Sequence, residues 1–281
     1  MIVVTGATGN VGGEAARLLT ADGHPVRLVV RDPKAAPGLP GVEVAVAGYG
    51  DQDALARALR PGDRVFMVSI NADHDERLAL HRSFVTAAAR AQVAQLVYLS
   101  FLNASHDSVF AHSRSHAETE DMIRDSGLPF TFVRTSLYGN VLAAFHLNGL
   151  MRAPGGTGRV SWVERKDCGA VVAAALREPG HEGAIYDATG PEALTLAESS
   201  QRVADLLGVP YRYEDADDPA ALPAEGIPAW AIPVRRTCFL AIAAGELGTV
   251  GDAVQRIGGR DPAPIDRYIL EHPGEFPAPP G

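Results

Sequence analysis

The sequence predicts an α/β protein: a doubly wound parallel sheet in the first half, followed by a smaller C-terminal lobe. Three observations carry this reading. Short apolar strands alternate with amphipathic helical stretches, a glycine-rich turn joins the first strand to the first helix, and the pattern loosens after about Thr135. Strands are expected at Ile2 to Thr5, Val26 to Val30, Val42 to Val46, Val65 to Ile70, Leu96 to Ser100 and Phe130 to Val133. Helices fall between them at Val11 to Ala21, Gln52 to Leu59, Asp75 to Ala91 and His112 to Asp125, closed by turn signals such as Asp22-Gly23, Pro61-Gly62 and Ser126-Gly127. Right-handed crossovers then place helices on both faces of one sheet.

Beyond Thr135 a helix is expected near Val141 to Met151, a Gly- and Pro-bearing loop at Ala153 to Gly158, and a helix at Asp167 to Arg177. A strand at Ala184 to Ala188 either returns to the sheet or packs beside it, and a helix follows at Leu196 to Leu207. The tail from Pro219 to Gly281 holds much of the proline and reads as irregular, with short helices and a frayed end.

Composition narrows the function classes. Of 281 residues 46% are apolar and 21% charged, which excludes a disordered, collagenous or disulfide-scaffold chain. The formal charge of -9 without a basic run excludes nucleic-acid backbone binding as the main role. Cys168 and Cys238 show no CxxC spacing and read as buried small hydrophobes, which is cytosolic usage. No basic leader precedes the first strand, and no apolar run reaches the roughly 18 residues that a membrane helix needs. A soluble, cytoplasmic protein is expected, acting on a small molecule as a monomer or homodimer, without membrane or nucleic acid.

The strongest local signal is Thr5-Gly6-Ala7-Thr8-Gly9-Asn10-Val11-Gly12, set between the first strand and the first helix. Gly6 and Gly9 allow the turn and close backbone approach, Gly12 lets helix and strand pack, and the helix N-terminal amides face a pyrophosphate. A tight structural turn would need the same glycines, but the strand before, the helix after and the further βα units favour a Rossmann-type nucleotide site. Residues 1–135 are then an NAD(P)-binding unit, and residues 136–281 a smaller substrate lobe partly interleaved with it.

Arg31 follows the second strand where an NAD site usually carries an acid, and with Lys34 it suits the 2′-phosphate of NADP(H). A solvated arginine is the plainer reading, and the neighbouring Asp32 blurs the case. Three further strand ends offer ligands. Tyr49 is positioned to lie on the adenine, while Asp51 reads as a helix N-cap. Ser69 and Asn71 fall near the adenine ribose and pyrophosphate, and the Ser100 hydroxyl either meets the cofactor or is satisfied by local backbone.

Lys34 and Lys166 are the only lysines, and neither follows a tyrosine at four residues, so the chain contains no YxxxK pair. Instead His112 and His116 share one helix face, with Glu120 at the next step. Metal binding there competes with a solvated face, and no metal is expected; His116 as proton donor or substrate-orienting group fits imidazole chemistry better. Tyr138 and Asn140, after the sixth strand, read as pocket lining or as an aromatic plug and an N-cap.

The segments TGATGNVG, Val30 to Pro33, Ala47 to Asp51, His116 to Glu120 and Leu176 to Pro191 resemble the NmrA-like atypical short-chain dehydrogenases. Within these, the chain looks most like type 2 NADPH:quinone oxidoreductases and bacterial NAD(P)-dependent azoreductases, over roughly Met1 to Leu207. The resemblance implies NADP(H) held by Gly6, Thr8, Gly9, Asn10, Val11 and Arg31, with His116 and Tyr138 bordering the nicotinamide. The family's Tyr-x-Glu-Asn is here the shorter Tyr138-Gly139-Asn140, without the acid. The family contains both reductases and NADP(H)-binding redox sensors. A reductase of quinones, enones or related conjugated carbonyls is the expected function; the alternatives are a non-catalytic sensor and a tailoring enzyme of secondary metabolism.

Overall fold

The computed structural model describes residues 1–217 and 228–277. Seven parallel strands form one sheet in the order β3-β2-β1-β4-β5-β6-β9. These are β1 (Ile2–Thr5), β2 (Val26–Val30), β3 (Glu43–Val46), β4 (Arg64–Met67), β5 (Gln95–Phe101), β6 (Phe130–Thr135) and β9 (Ala184–Ala188). The central strands are near-continuous apolar runs because both faces of a parallel sheet are covered. The strand at Ala184–Ala188 returns to the sheet beside β6, with Val133 opposite Tyr186.

Two helices, α1 (Asn10–Ala21) and α6 (Arg165–Arg177), cover one face, and α2 (Gln52–Ala58), α3 (His74–Arg90) and α4 (Ala111–Asp125) cover the other. Local chemistry starts them: the Asp51 carboxylate accepts from Ala54 N–H and the Asp73 carboxylate from Glu76 N–H. At the centre, Gly6 takes φ +63° and Gly12 has no room for a side chain, since a Cβ there would lie 2.5 Å from the Gly6 carbonyl oxygen and 2.7 Å from that of Thr5.

The second lobe packs its own core around Leu142, Phe145, Trp162, Phe239 and Ile269. It is built from α5 (Gly139–Phe145), β7 (Leu150–Ala153), β8 (Arg159–Val160), β10 (Leu194–Thr195), α7 (Leu196–Leu207), β11 (Arg212–Asp215), α8 (Ala231–Ala243) and α10 (Ile265–Glu271), whereas α9 (Ala253–Arg256) packs on α6 and β9. Pairs β8–β10 and β7–β11 form two small sheets. A full capping box between Thr195 and Glu198 opens α7. No described helix is long and apolar enough to cross a membrane.

Two expectations are corrected. The helix expected over Val141 to Met151 ends at Phe145, because Asn148 and Gly149 both take positive φ, +51° and +74°, and turn the chain into β7. The tail is more regular than its proline content suggests: α8 runs for 13 residues, with Pro233 in its first turn, where the missing N–H costs nothing. Pro219, Pro279, Pro280 and the expected frayed end lie outside the described residues. Replacing Gly12 with alanine should overpack the β1–α1 turn and cost about 1–3 kcal/mol; thermal unfolding checks this, and an unchanged midpoint would refute the contact.

Candidate functional site

Ligands of open α/β sheets bind at the carboxyl ends of the strands, and there the structure opens two adjoining spaces. The first, about 290 Å³, is lined by Gly6, Thr8, Arg31, Tyr49, Ser69 and Asn71 among others. Gly9 N–H bonds the Gly6 carbonyl at 2.9 Å, and α1 begins at Asn10 with no side-chain cap and no acid in its first turn. The first-turn amides and the positive helix end are therefore open to a phosphate.

Arg31 is exposed at the rim. Asp32 is turned away from ligand duty, since its carboxylate accepts from Lys34 N–H at 2.9 Å and caps a short 3-10 turn, Pro33–Ala35. Lys34 itself is exposed and outside the lining of the cleft. Tyr49 corrects the expectation of a free aromatic plate. Its ring is buried at 4.4 Å from that of Phe84, and its hydroxyl donates to the Val68 carbonyl at 2.9 Å and accepts from Thr5 Oγ1 at 2.7 Å. The residue rivets β1 to the chain beyond β4.

The second space holds about 520 Å³ between the sheet edge and the second lobe. Ser69, Ile70 and Asn71 border both spaces. Phe101, Phe110, Phe145 and Trp230 give it apolar walls. Among the described residues, three buried polar atoms without a hydrogen-bond partner belong to residues of its lining, Arg77 Nε, Ser136 Oγ and Asn140 Oδ1, although the atoms themselves are shielded from solvent. Orphaned buried polar atoms are costly and rare, and three of them cluster around this space.

His116 lies at this pocket, but not as a proton donor. Arg77 Nη2 meets its Nε2 at 2.7 Å, and Tyr98 Oη meets its Nδ1 at 2.9 Å. A guanidinium only donates, so Nε2 is the acceptor and the ring proton sits on Nδ1, directed at Tyr98. Burial first, and the Arg77 charge second, hold its pKa well below the usual imidazole value. Both ring nitrogens are thus engaged, and His116 holds Arg77 in place. Burial also pushes the Tyr98 phenol up to about 12.

Arg77 Nη1 donates to the Ile70 carbonyl at 2.7 Å, while Ile70 N–H donates to His81 Nε2 at 3.0 Å. Both backbone groups of the residue between Ser69 and Asn71 are thus pinned. Ser100 is likewise committed: its hydroxyl donates to Glu120 Oε1 at 2.6 Å, neither to a cofactor nor to local backbone. Glu120 is held by Arg134 at 2.6 Å and Arg124 at 3.0 Å, so it does not join His112 and His116 in a metal-binding face.

Tyr138 is half-buried beside the pocket, its hydroxyl 3.1 Å from Thr135 Oγ1 and its ring under the Arg165 guanidinium at 4.6 Å. Burial raises its phenol well above the ordinary value, so it stays protonated. Sequence reasoning reads Trp230 as core or pocket wall, and it missed Arg77, His81, Ser136, Arg165 and Arg235. None carries a motif, and Trp230 and Arg235 arrive from the second lobe.

The family model described as NAD(P)H-binding matches residues 6–179. A reductase of Streptomyces griseus subsp. griseus, named for (4-alkanoyl-5-oxo-2,5-dihydrofuran-3-yl)methyl phosphate, is 39% identical, covering 98% of this chain and 99% of its own. The NAD(P)H azoreductase of Xenophilus azovorans is 30% identical over 99% of this chain and all of its own. Among solved structures, the Escherichia coli NADPH-dependent quinone oxidoreductase complexed with NADPH superposes with TM-score 0.86 at 27% identity, covering 96% of this chain and 99% of that one.

Buried neutral histidines have a pH consequence. Burial lowers His81 to about 3 and His146 to about 4, and His116 is also depressed. Unfolding returns each to about 6.5, so below that pH the unfolded chain binds more protons and stability falls with acidification. At about pH 5.5 each should cost on the order of 1.4 kcal/mol; unfolding midpoints measured from neutral pH downward should decline, and a flat profile would refute the neutral assignment. With the glycine turn, the two adjoining spaces and relatives matched along nearly their whole length, the chain belongs to the NAD(P)H-binding family.

Proposed function

We propose that the protein is an NADPH-dependent reductase that delivers hydride to a quinone, enone or related conjugated carbonyl. The observation that carries this reading is the open, apolar pocket adjoining the dinucleotide cleft, with Arg77, Ser136 and Tyr138 in its lining. A filled pocket would have favoured a sensor.

The residues present fit the cofactor. The uncapped first turn of α1 suits the pyrophosphate, Arg31 suits the 2′-phosphate, and the pinned Ser69–Asn71 segment lies where the dinucleotide passes into the pocket. When bound, NADPH supplies the hydride. The chain's own task is to hold the acceptor and stabilise the charge that develops on its oxygen.

Arg77, aligned by His116, and Ser136 belong to the lining, and their N–H and O–H groups are the donors assigned to that charge. Fixed donors at a developing oxyanion are among the largest catalytic terms available. Tyr138, kept protonated, borders the same space. No lysine dyad is required: hydride enters at carbon, charge passes to oxygen, and a proton from solvent completes the reduction. The Streptomyces griseus relative supports the acceptor class, since its substrate name describes a ring alkene conjugated with carbonyl groups.

The test is the loss of NADPH absorbance, under anaerobic conditions, with a panel of quinones and conjugated enones, repeated with NADH. Turnover with NADPH supports the reading; tight NADPH binding with no acceptor reduced would favour the sensor. Arg31→Asp should weaken NADPH binding about 10–100-fold, as expected for a lost charge-assisted contact, with little change for NADH; equal loss for both would overturn the 2′-phosphate assignment.

A further inference from the structure

The acceptor pocket has a charge bias that the reductase reading does not explain. The chain carries a net charge of -9, yet the described lining of this pocket includes Arg77, Arg165 and Arg235 and no aspartate or glutamate. Two of these arginines have duties already. Arg77 serves the Ile70 carbonyl and His116, and Arg165 lies over the Tyr138 ring beside the nicotinamide end.

Arg235 has no comparable role. It projects from α8, on the second lobe, with its guanidinium 5.5 Å from the centre of the Phe145 ring and one N–H donating to the Ala144 carbonyl. Among the described residues it forms no ion pair. Its surroundings, Phe145, Val141, Val234 and Trp230, are apolar, and burial opposes its charge. Arg235 is partly buried, and a cation among apolar walls without a carboxylate is stabilised when a ligand brings the counter-charge. A guanidinium on an aromatic face keeps its remaining N–H groups free for a planar or tetrahedral oxyanion.

We propose that the pocket takes an acceptor bearing an anionic group, a phosphate, sulfonate or carboxylate, which Arg235 binds while an apolar scaffold carries the conjugated carbonyl to Arg77 and Ser136. This rests on the reductase reading for the word acceptor, but not for the anion site itself. The apolar walls between the two arginines require a substrate that is amphiphilic: charged at the α8 end and conjugated at the sheet end. Neutral quinones then enter without their best contact.

Two arms test it separately. In the first, NADPH-saturated protein is titrated with 1-anilinonaphthalene-8-sulfonate and with N-phenyl-1-naphthylamine, which share an apolar frame and differ in the sulfonate. Arg235→Gln should weaken the sulfonate probe about tenfold relative to the neutral one, Arg235→Lys should recover part of that loss, and Arg165→Gln should leave the ratio near its starting value. A loss equal for both probes, or a larger one in Arg165→Gln, overturns the assignment. In the second arm, 1,2-naphthoquinone and its 4-sulfonate are compared as acceptors, and Arg235→Gln should lower kcat/KM for the sulfonate relative to the parent about tenfold. No reduction of either quinone would count against the reductase reading, while the probe titration would still decide the anion site.

Discussion

The close approach of the first helix to the first strand governs everything at the carboxyl edge of the sheet. Gly12 stands where any side chain would strike the carbonyl oxygens of Thr5 and Gly6, so α1 starts directly above the end of β1 with its leading amides bare. The neighbouring strand ends are tied to the same point. The Thr5 hydroxyl accepts from Val68 N–H and donates to Tyr49, whose own proton goes to the Val68 carbonyl. One threonine and one tyrosine thus set the floor of the cleft from three strand ends, and both are buried because of that work.

A second constraint is electrostatic. Buried ion pairs rarely add net stability, but breaking one exposes an uncompensated charge. Glu120 takes the compensated form, gripped by Arg134 and Arg124 and bonded by Ser100, and it locks α4 against β5 and β6. Arg77 takes the other form: it is almost wholly buried beside neutral imidazoles and, among the described residues, has no carboxylate partner. Stability alone does not account for that arrangement. It resembles the strained or under-satisfied groups that folds keep where binding or chemistry repays them.

The amino-acid sequence made the sheet, its helices and the glycine turn legible because apolar runs and turn residues are local signals. The dinucleotide cleft followed from position, as strand ends converge whatever loops they carry. Side-chain commitments did not follow. Ser100, Tyr49 and His116 occupy the expected regions, yet each spends its polar atoms on a partner 18 or more residues away in sequence. No spacing rule reveals such a partner. Arg77 lies mid-chain on α3 with an unremarkable helical context, and Arg235 reaches the pocket only through the packing of a distant helix. The hairpin at Asn148-Gly149 was readable from its residue types, whereas the surrounding apolar residues suggested a longer helix.

The pocket's two ends are written in separate stretches of the chain. On the proposed reading, the residues that meet the dinucleotide and orient the reacting oxygen come from the sheet and its first helices, whereas Val234 and Arg235 come from one late helix and Trp230 from its N-cap. Drift in that single helix can therefore change which molecules are admitted while the electron-donating machinery stays untouched. Among descendants of a common ancestor, selectivity would diverge quickly and redox chemistry slowly, so relatives sharing one cofactor end can come to carry names drawn from unlike dyes, quinones and lactones.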